Sequence, residues 1–504
     1  MKDNETLHAL EFIDADLIEA AEAAPKKRPT RPYWSAAIAA ILILAMGLGI
    51  LFGGSSAPTV PTDPIQLGST PTTGSYVPTI HTVPTGPVLP SLLAEPVYPL
   101  MAAFPKEDGY SNWKDYDLAY TAWRNSQKQQ YDQPNGYADS LTEFFQRSIR
   151  EFLQGDGNTA YSPLNVYMTM AMLAETTGGN SRQQILDLFG LNSLAVLRKQ
   201  ASYVWNAHYC ADGQTDLLLG NALWLDDAYT FKQDAADLLA NHYYASSYHG
   251  DLGTEEMNKL LQTWLNDNTG GLLKDQAENV QLSPYAAFAL TSTVYFTAAW
   301  EDEFFPTNTK EAVFHSPDGD ISAPFMNKTM YSYMCYWSDN FTALALELSG
   351  NNHMWLILPD EGYTVADILE SEDYMQMTLK PGAWKNKKQY KVNLSLPKFD
   401  VSDQKDLIEG MKAMGVTDIF DEKLSDFSPI TDTPNLIVRM INHAARVAID
   451  EKGCVGAAFT VAESGPTSVP MNPNEIDFVL DRPFLFMVSS RDNLPLFAGV
   501  VNHP

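Results

Sequence analysis

Apolar residues recur at helical spacing soon after residue 138. Leu141, Phe144, Phe145, Ile149, Phe152 and Leu153 share one face behind a polar start at Asp139 and Ser140, which predicts an amphipathic helix. Ser162 is placed to cap a second helix with Pro163 in its first turn. The run from Leu164 to Leu173 is apolar on nearly all sides before Gly178 and Gly179 end it, so this helix belongs in the core. Ser181 and Gln184 form a capping box ahead of Ile185, Leu186, Leu188 and Phe189, with Gly190 as the stop. Farther along the period changes to two. Tyr390, Val392, Leu394 and Leu396 alternate with Lys391, Asn393 and Ser395, the pattern of a half-buried strand. His353 to Leu358, Asn435 to Ile449, Pro483 to Ser489 and Leu496 to Val501 are further strands, the last two joined by a polar turn at Arg491 to Asn493. The pattern is that of one α+β domain over residues 138–504, without internal repeats.

The chain before residue 138 has a different texture. Ser35 to Gly54 carries no charge and is apolar for about the 20 residues that a membrane-crossing helix needs. Lys26, Lys27, Arg28 and Arg31 precede it, Tyr33 and Trp34 lie at its start, and no charge follows until Asp63. The expectation is a single-pass membrane protein with residues 1–32 cytoplasmic, 33–54 spanning and the remainder extracellular. A cleaved signal peptide, which would make the protein secreted, is the alternative. Residues 55–105 are crowded with Pro, Thr, Gly and Ser and read as an extended stalk. Residues 106–137 read as an extension of the folded domain, with a helix over the aromatic and polar stretch between Asp115 and Asp132.

Composition narrows the function classes. Asp and Glu outnumber Lys and Arg by 62 to 33, a net charge of −29 that repels nucleic acid. Cys210, Cys335 and Cys454 are too far apart for a Cys-x-x-Cys metal or redox motif and too few for a disulfide framework. There is no Gly-x-Ser-x-Gly elbow, His-Glu-x-x-His helix, Walker loop or Gly-x-Gly-x-x-Gly fingerprint. The expectation is a monomer without catalytic residues, cofactor or metal.

Residues 159–173, TAYSPLNVYMTMAML, resemble the second-helix signature of the serpin family. Further blocks resemble the family in family order: ALTSTVYFTAAWEDEFFPTNTKEAVFH (289–315), LILPDEG (356–362), VNLSLPKFDV (392–401), INHAARVAIDEKG (441–453), DRPFLFMV (481–488) and LFAGVVNHP (496–504). The chain is thus identified as a serpin, of a bacterial, membrane-anchored type. The resemblance implies three β-sheets, eight or nine helices and an exposed reactive-centre loop after Ile449 and Asp450. It also implies an inhibitor of serine proteases that acts as a suicide substrate: a protease serine attacks the loop, and the cut loop inserts into the central sheet and deforms the protease. The alternative is a non-inhibitory serpin-fold protein that serves as a surface binding or interaction module.

An inserting strand sends alternate side chains into the buried face of a sheet, so every second residue must be small and uncharged. In the family register the hinge starts at Glu451 and Gly453, and Cys454, Gly456, Ala458 and Thr460 point inward while Val455, Ala457 and Phe459 point out. The positions that match the family's sheet-opening cluster are Ser162, Asn165, Ser292 and His443. The family serine is Asn165 here and the family asparagine is Ser292, an exchange that preserves hydrogen bonding if the side chains meet. Trp300 matches the tryptophan at the insertion entrance. The family's spacing from Glu451 places the reactive bond at Thr467–Ser468, within the string GPTSVP (465–470). A small uncharged threonine suits elastase-like or subtilisin-like proteases, and residues 453–480 hold no Lys or Arg for a trypsin-like enzyme. A thiol at Cys454, if exposed, would offer a site at which a bulky adduct blocks insertion.

Overall fold

The computed structural model describes residues 91–454 and 474–504. Seventeen strands form two sheets among the described residues. The first sheet contains β1 (Ser91–Ala94), β3 (Cys210–Ala211), β4 (Thr215–Asp226), β5 (Ala245–Gly250), β6 (Phe288–Ala299), β12 (Phe399–Asp406), β13 (Asn442–Ile449) and β14 (Gly453–Cys454). Its order is β1-β5-β4-β6-β14-β13-β12, with β3 paired to β4. The second contains β2 (Thr159–Tyr161), β7 (Lys310–Ser316), β8 (Gly319–Trp337), β9 (Phe341–Leu348), β10 (Asn352–Pro359), β11 (Lys387–Pro397), β15 (Glu475–Val479), β16 (Phe484–Ser489) and β17 (Pro495–Val501). Its order is β15-β11-β8-β9-β10-β16-β17-β2, with β7 paired to β8. Three sheets were expected. The 19-residue β8 pairs with β7, β11 and β9 along its length and so joins into one ladder what would otherwise be two sheets.

Twelve α-helices surround the sheets among the described residues, more than the eight or nine expected because several are only a turn or two long. They are α1 (Trp113–Ser126), α2 (Lys128–Tyr131), α3 (Thr142–Phe152), α4 (Pro163–Thr176), α5 (Gly179–Leu188), α6 (Leu194–His208), α7 (Gln233–Tyr243), α8 (Glu255–Asn268), α9 (Lys274–Ala277), α10 (Val365–Glu370), α11 (Asp373–Leu379) and α12 (Ile408–Ala413). The apolar face of α3 is buried at Leu141, Phe144, Phe145, Ile149, Phe152 and Leu153, as its period requires. Every residue of α4 except Thr169 is buried, and the helix packs against β6 and β17 between the sheets. The start of α5 differs from expectation. It begins at Gly179 with no side-chain cap, because Ser181 accepts from Asp426 N and Gln184 binds Thr417 and Asp418 instead of closing a capping box. The strand expected from Asn435 is confined to Asn442–Ile449.

The last residues of the stretch 55–105, expected as an extended stalk, are packed on the folded domain. Ser91–Ala94 pairs with β5, and Tyr98 and Phe104 pack on the domain, since these residues supply apolar area that Pro, Thr and Gly lack. The single-pass membrane assignment is corrected: among the described residues no helix is long and apolar enough to cross a membrane. The apolar run 35–54, the segment 1–32 and the first part of the stalk lie outside the described residues.

Candidate functional site

The site is a seam in the first sheet. β14 is the one described strand between β6 and β13: Gly453 and Cys454 pair with Ala299 and Ala298 on one side, and Cys454 pairs with Ile449 on the other. The sharp turn from β13 into β14 is built by Asp450, whose Oδ1 accepts from Lys452 N (2.8 Å) and Gly453 N (3.3 Å), while Asp450 N donates to Gly453 O. Trp300 holds this turn from the end of β6. Its indole Nε1 donates to Asp450 O (2.8 Å) and its backbone N to Lys452 O (2.9 Å). Trp300 itself is buried, edge-on to Phe304.

The Glu451 carboxylate is anchored by Thr309 Oγ1 (2.7 Å) and Lys398 Nζ (2.9 Å), and its backbone carbonyl accepts from Phe304 N. Burial works against the charge, but the hydrogen bonds from Lys398 and Thr309 outweigh it and hold the carboxyl below its ordinary value. Gly453 has no room for a side chain: a Cβ there would strike the Ala298 carbonyl oxygen and come within 2.8 Å of Ala299 Cα. Cys454 is 1% exposed, and burial pushes its thiol up to about 12. The adduct chemistry expected of an exposed Cys454 is therefore closed in this conformation, because a buried, protonated thiol is neither reachable nor nucleophilic. Cys210 and Cys335 are likewise free and buried.

Lower in the seam, the start of α4 lies beneath both flanking strands. Ser162 Oγ donates to Leu496 O (2.7 Å) and accepts from Asn165 N, capping the helix. Ser162 N donates to His443 Nε2 (3.0 Å) on the β13 side, and Asn165 Nδ2 donates to Ser292 O (2.8 Å) on the β6 side. Ser162, Asn165, Ser292 and His443 thus form one hydrogen-bonded path across the seam. The Asn165 amide meets the main-chain carbonyl of Ser292 and not its hydroxyl, so the serine–asparagine exchange is not a side-chain pair. Because an N–H can only donate, His443 Nε2 carries a lone pair and the ring is neutral. Burial, with the charge of Lys405 adding to it, lowers His443 to about 3. Tyr161 covers the ring edge-on at 5.2 Å.

Gly456, Ala457, Ala458 and Thr460 of the hinge and the bond Thr467–Ser468 lie outside the described residues. The Thr309–Glu451–Lys398 anchor was missed by sequence reasoning. Lys398 sits within the quoted VNLSLPKFDV block, but nothing local marks it as the partner of a residue 53 positions away. No group of His, Cys, Asp and Glu suited to a metal occurs among the described residues.

The family model for serpin (serine protease inhibitor) matches residues 139–504. The chain is 27% identical to Serpin-ZX of Arabidopsis thaliana over 369 residues, covering 69% of this chain and 93% of the relative. It is 28% identical to alpha-1-antiproteinase 2 of Equus caballus over 359 residues, covering 69% and 82%. Among solved structures, Arabidopsis AtSerpin1 in its native stressed conformation is similar at a TM-score of 0.65 and 25% identity, covering 73% of this chain and 98% of that one. The thermophilic serpin tengpin in its native state also gives 0.65, at 21% identity and with 74% and 95% covered. These relatives lend no support to a bacterial, membrane-anchored type. The match over most of the chain, with the fold and the seam described above, places this protein in the serpin family.

Proposed function

We propose that this serpin inhibits serine proteases as a suicide substrate, with Thr467–Ser468 as the bait bond. The observation that supports this most is β14, two residues of the hinge already seated as the start of a strand between β6 and β13. Attack of the protease serine on the Thr467 carbonyl breaks the peptide bond. An ester joins Thr467 to the protease, and the amine of Ser468 leaves with the proton relayed by the protease histidine. The cut loop then continues the strand that β14 begins, each added ladder bond contributing about 1 kcal/mol net. The small side chain of Thr467 suits elastase-like or subtilisin-like enzymes.

The test is incubation with such proteases and denaturing electrophoresis. The expected product is a covalent complex of about 1:1 stoichiometry that resists SDS, with a released C-terminal fragment that begins at Ser468 by mass spectrometry. Clean cleavage by every protease tried, without complex, would instead favour a non-inhibitory binding module. That second reading has a precedent of fold in thyroxine-binding globulin, which this chain resembles at a TM-score of 0.60.

A further inference from the structure

The family match begins at residue 139, yet the fold continues upstream of it. Residues 91–131 run from the outer strand of the first sheet, β5, to the residues that lead into β4. β1 pairs with β5 at that outer edge. Tyr98 then lies against Trp205, Tyr209 and Tyr244, with ring centroids between 5.6 and 6.0 Å. Phe104 N donates to Asp212 O, and the Phe104 ring is edge-on to Trp123.

Asp212 is the anchor. It is buried just ahead of β4, and its Oδ1 accepts from Gln214 N and Thr215 N, which sets the first residues of that strand. Its Oδ2 accepts from Trp123 Nε1 (2.9 Å) and Gln127 Nε2 (2.8 Å), both from the upstream segment. From there α2 reaches the rest of the body. Gln130 Nε2 donates to Tyr209 O, Gln130 O accepts from Arg491 in the β16–β17 turn, and the Arg491 guanidinium stacks on Tyr131 at 3.8 Å.

The position of this anchor matters. Thr215 pairs with Ala298, and Ala298 pairs with Cys454, so Asp212 holds β4 at the rung where the hinge enters the sheet. Widening the seam requires β6, β4 and β5 to move as a block away from β13 and β12. A segment hydrogen-bonded to β5, to Asp212 just ahead of β4, to Tyr209 just past α6 and to the β16–β17 turn opposes that movement. Its grip is light, since none of the 14 residues of α1 is buried.

We propose that residues 91–131 are a strap that keeps the first sheet closed at the hinge, with Trp123 and Gln127 on Asp212 as its catch. Its bearing on inhibition rests on the loop-insertion reading above; its bearing on the sheet does not. The experiment uses the full chain with Trp123→Phe and Gln127→Leu together, which removes both donors and keeps apolar bulk, while Asp212 Oδ1 still holds β4. Maleimide modification of each cysteine is followed separately by mass mapping. Losing two hydrogen bonds to a buried carboxylate should speed modification of Cys454 by about tenfold or more, with Cys335 in the second sheet unchanged. A Cys454 rate within about twofold of the parent refutes the strap. Equal acceleration at Cys335 refutes it also, because it signals general loosening. In the protease assay the double variant should lose trapping capacity faster on standing than the parent. If the parent traps no protease, the proposed function fails, and the cysteine rates still decide the strap.

Discussion

Acid should open the seam through His443. The neutral ring accepts from Ser162 N through Nε2 and is held near a pKa of about 3 by burial, against an ordinary 6.5. In the unfolded chain the same ring takes up a proton below about pH 6.5. The folded state binds that proton less readily, so the stability that His443 contributes is complete above about 6.5. It is lost as pH falls toward about 3. At pH 5 the unfolded form gains about 1.5 pH units of proton binding that the folded form lacks, or about 2 kcal/mol. A protonated ring would also turn Nε2–H against Ser162 N–H and break the path from α4 to β13. The assay is the first urea unfolding transition at pH 7.5 and pH 5, for the parent and for His443→Gln. His208 and His353 are also lowered by burial and add to the parent's loss. The difference between parent and variant isolates His443. The parent should lose about 2 kcal/mol more than the variant over this interval. Equal losses would mean that His443 does not gate the acid response, and the reasoning from its buried acceptor nitrogen would be wrong.

Gly453→Ala should expel the hinge, because the added methyl collides with the Ala298 backbone, and Cys454 should then react with maleimide at least tenfold faster while circular dichroism stays unchanged. An unchanged Cys454 rate would show that β6 yields instead. Glu451→Ala should lower the first unfolding transition by about 1 kcal/mol through loss of the Lys398 and Thr309 bonds, since solvent at Lys398 weakens the pair; a second variant, Lys398→Met, should cost a similar amount and add little to the first. Thr467→Arg should turn trapping toward trypsin-like enzymes, read as covalent complex with trypsin, and clean cleavage after Arg at that position would place the bait bond elsewhere.

The elements that sequence revealed best are those whose cause is local. The α4 helix shows itself through the Ser162 cap, Pro163 and an all-apolar run, and β11 through its alternation. The short strand at Gly453 and Cys454 falls on residues that the family resemblance, more than their small size, singled out. What sequence did not show depends on partners far along the chain. The Glu451–Lys398 pair spans 53 positions and the Trp123–Asp212 bond 89. The Asn165–Ser292 exchange misled for a related reason: a backbone carbonyl, which every residue carries, replaced the side chain that residue types alone would suggest.

The strand β1 has a consequence for neighbouring molecules as well. A sheet that can accept a strand in its middle is at risk of accepting a foreign one at its rim, where unpaired backbone groups form a template. Here Ser247, Tyr248 and His249 of β5 are already paired with Ser91–Ala94. Among the described residues this rim is four residues long, and its register shifts between Leu92 and Ala94, so it offers few groups in line for another chain to copy. The same upstream residues thus leave the β5 side of the first sheet, among the described residues, with a short, irregular border that is a poor template for a foreign strand on that side.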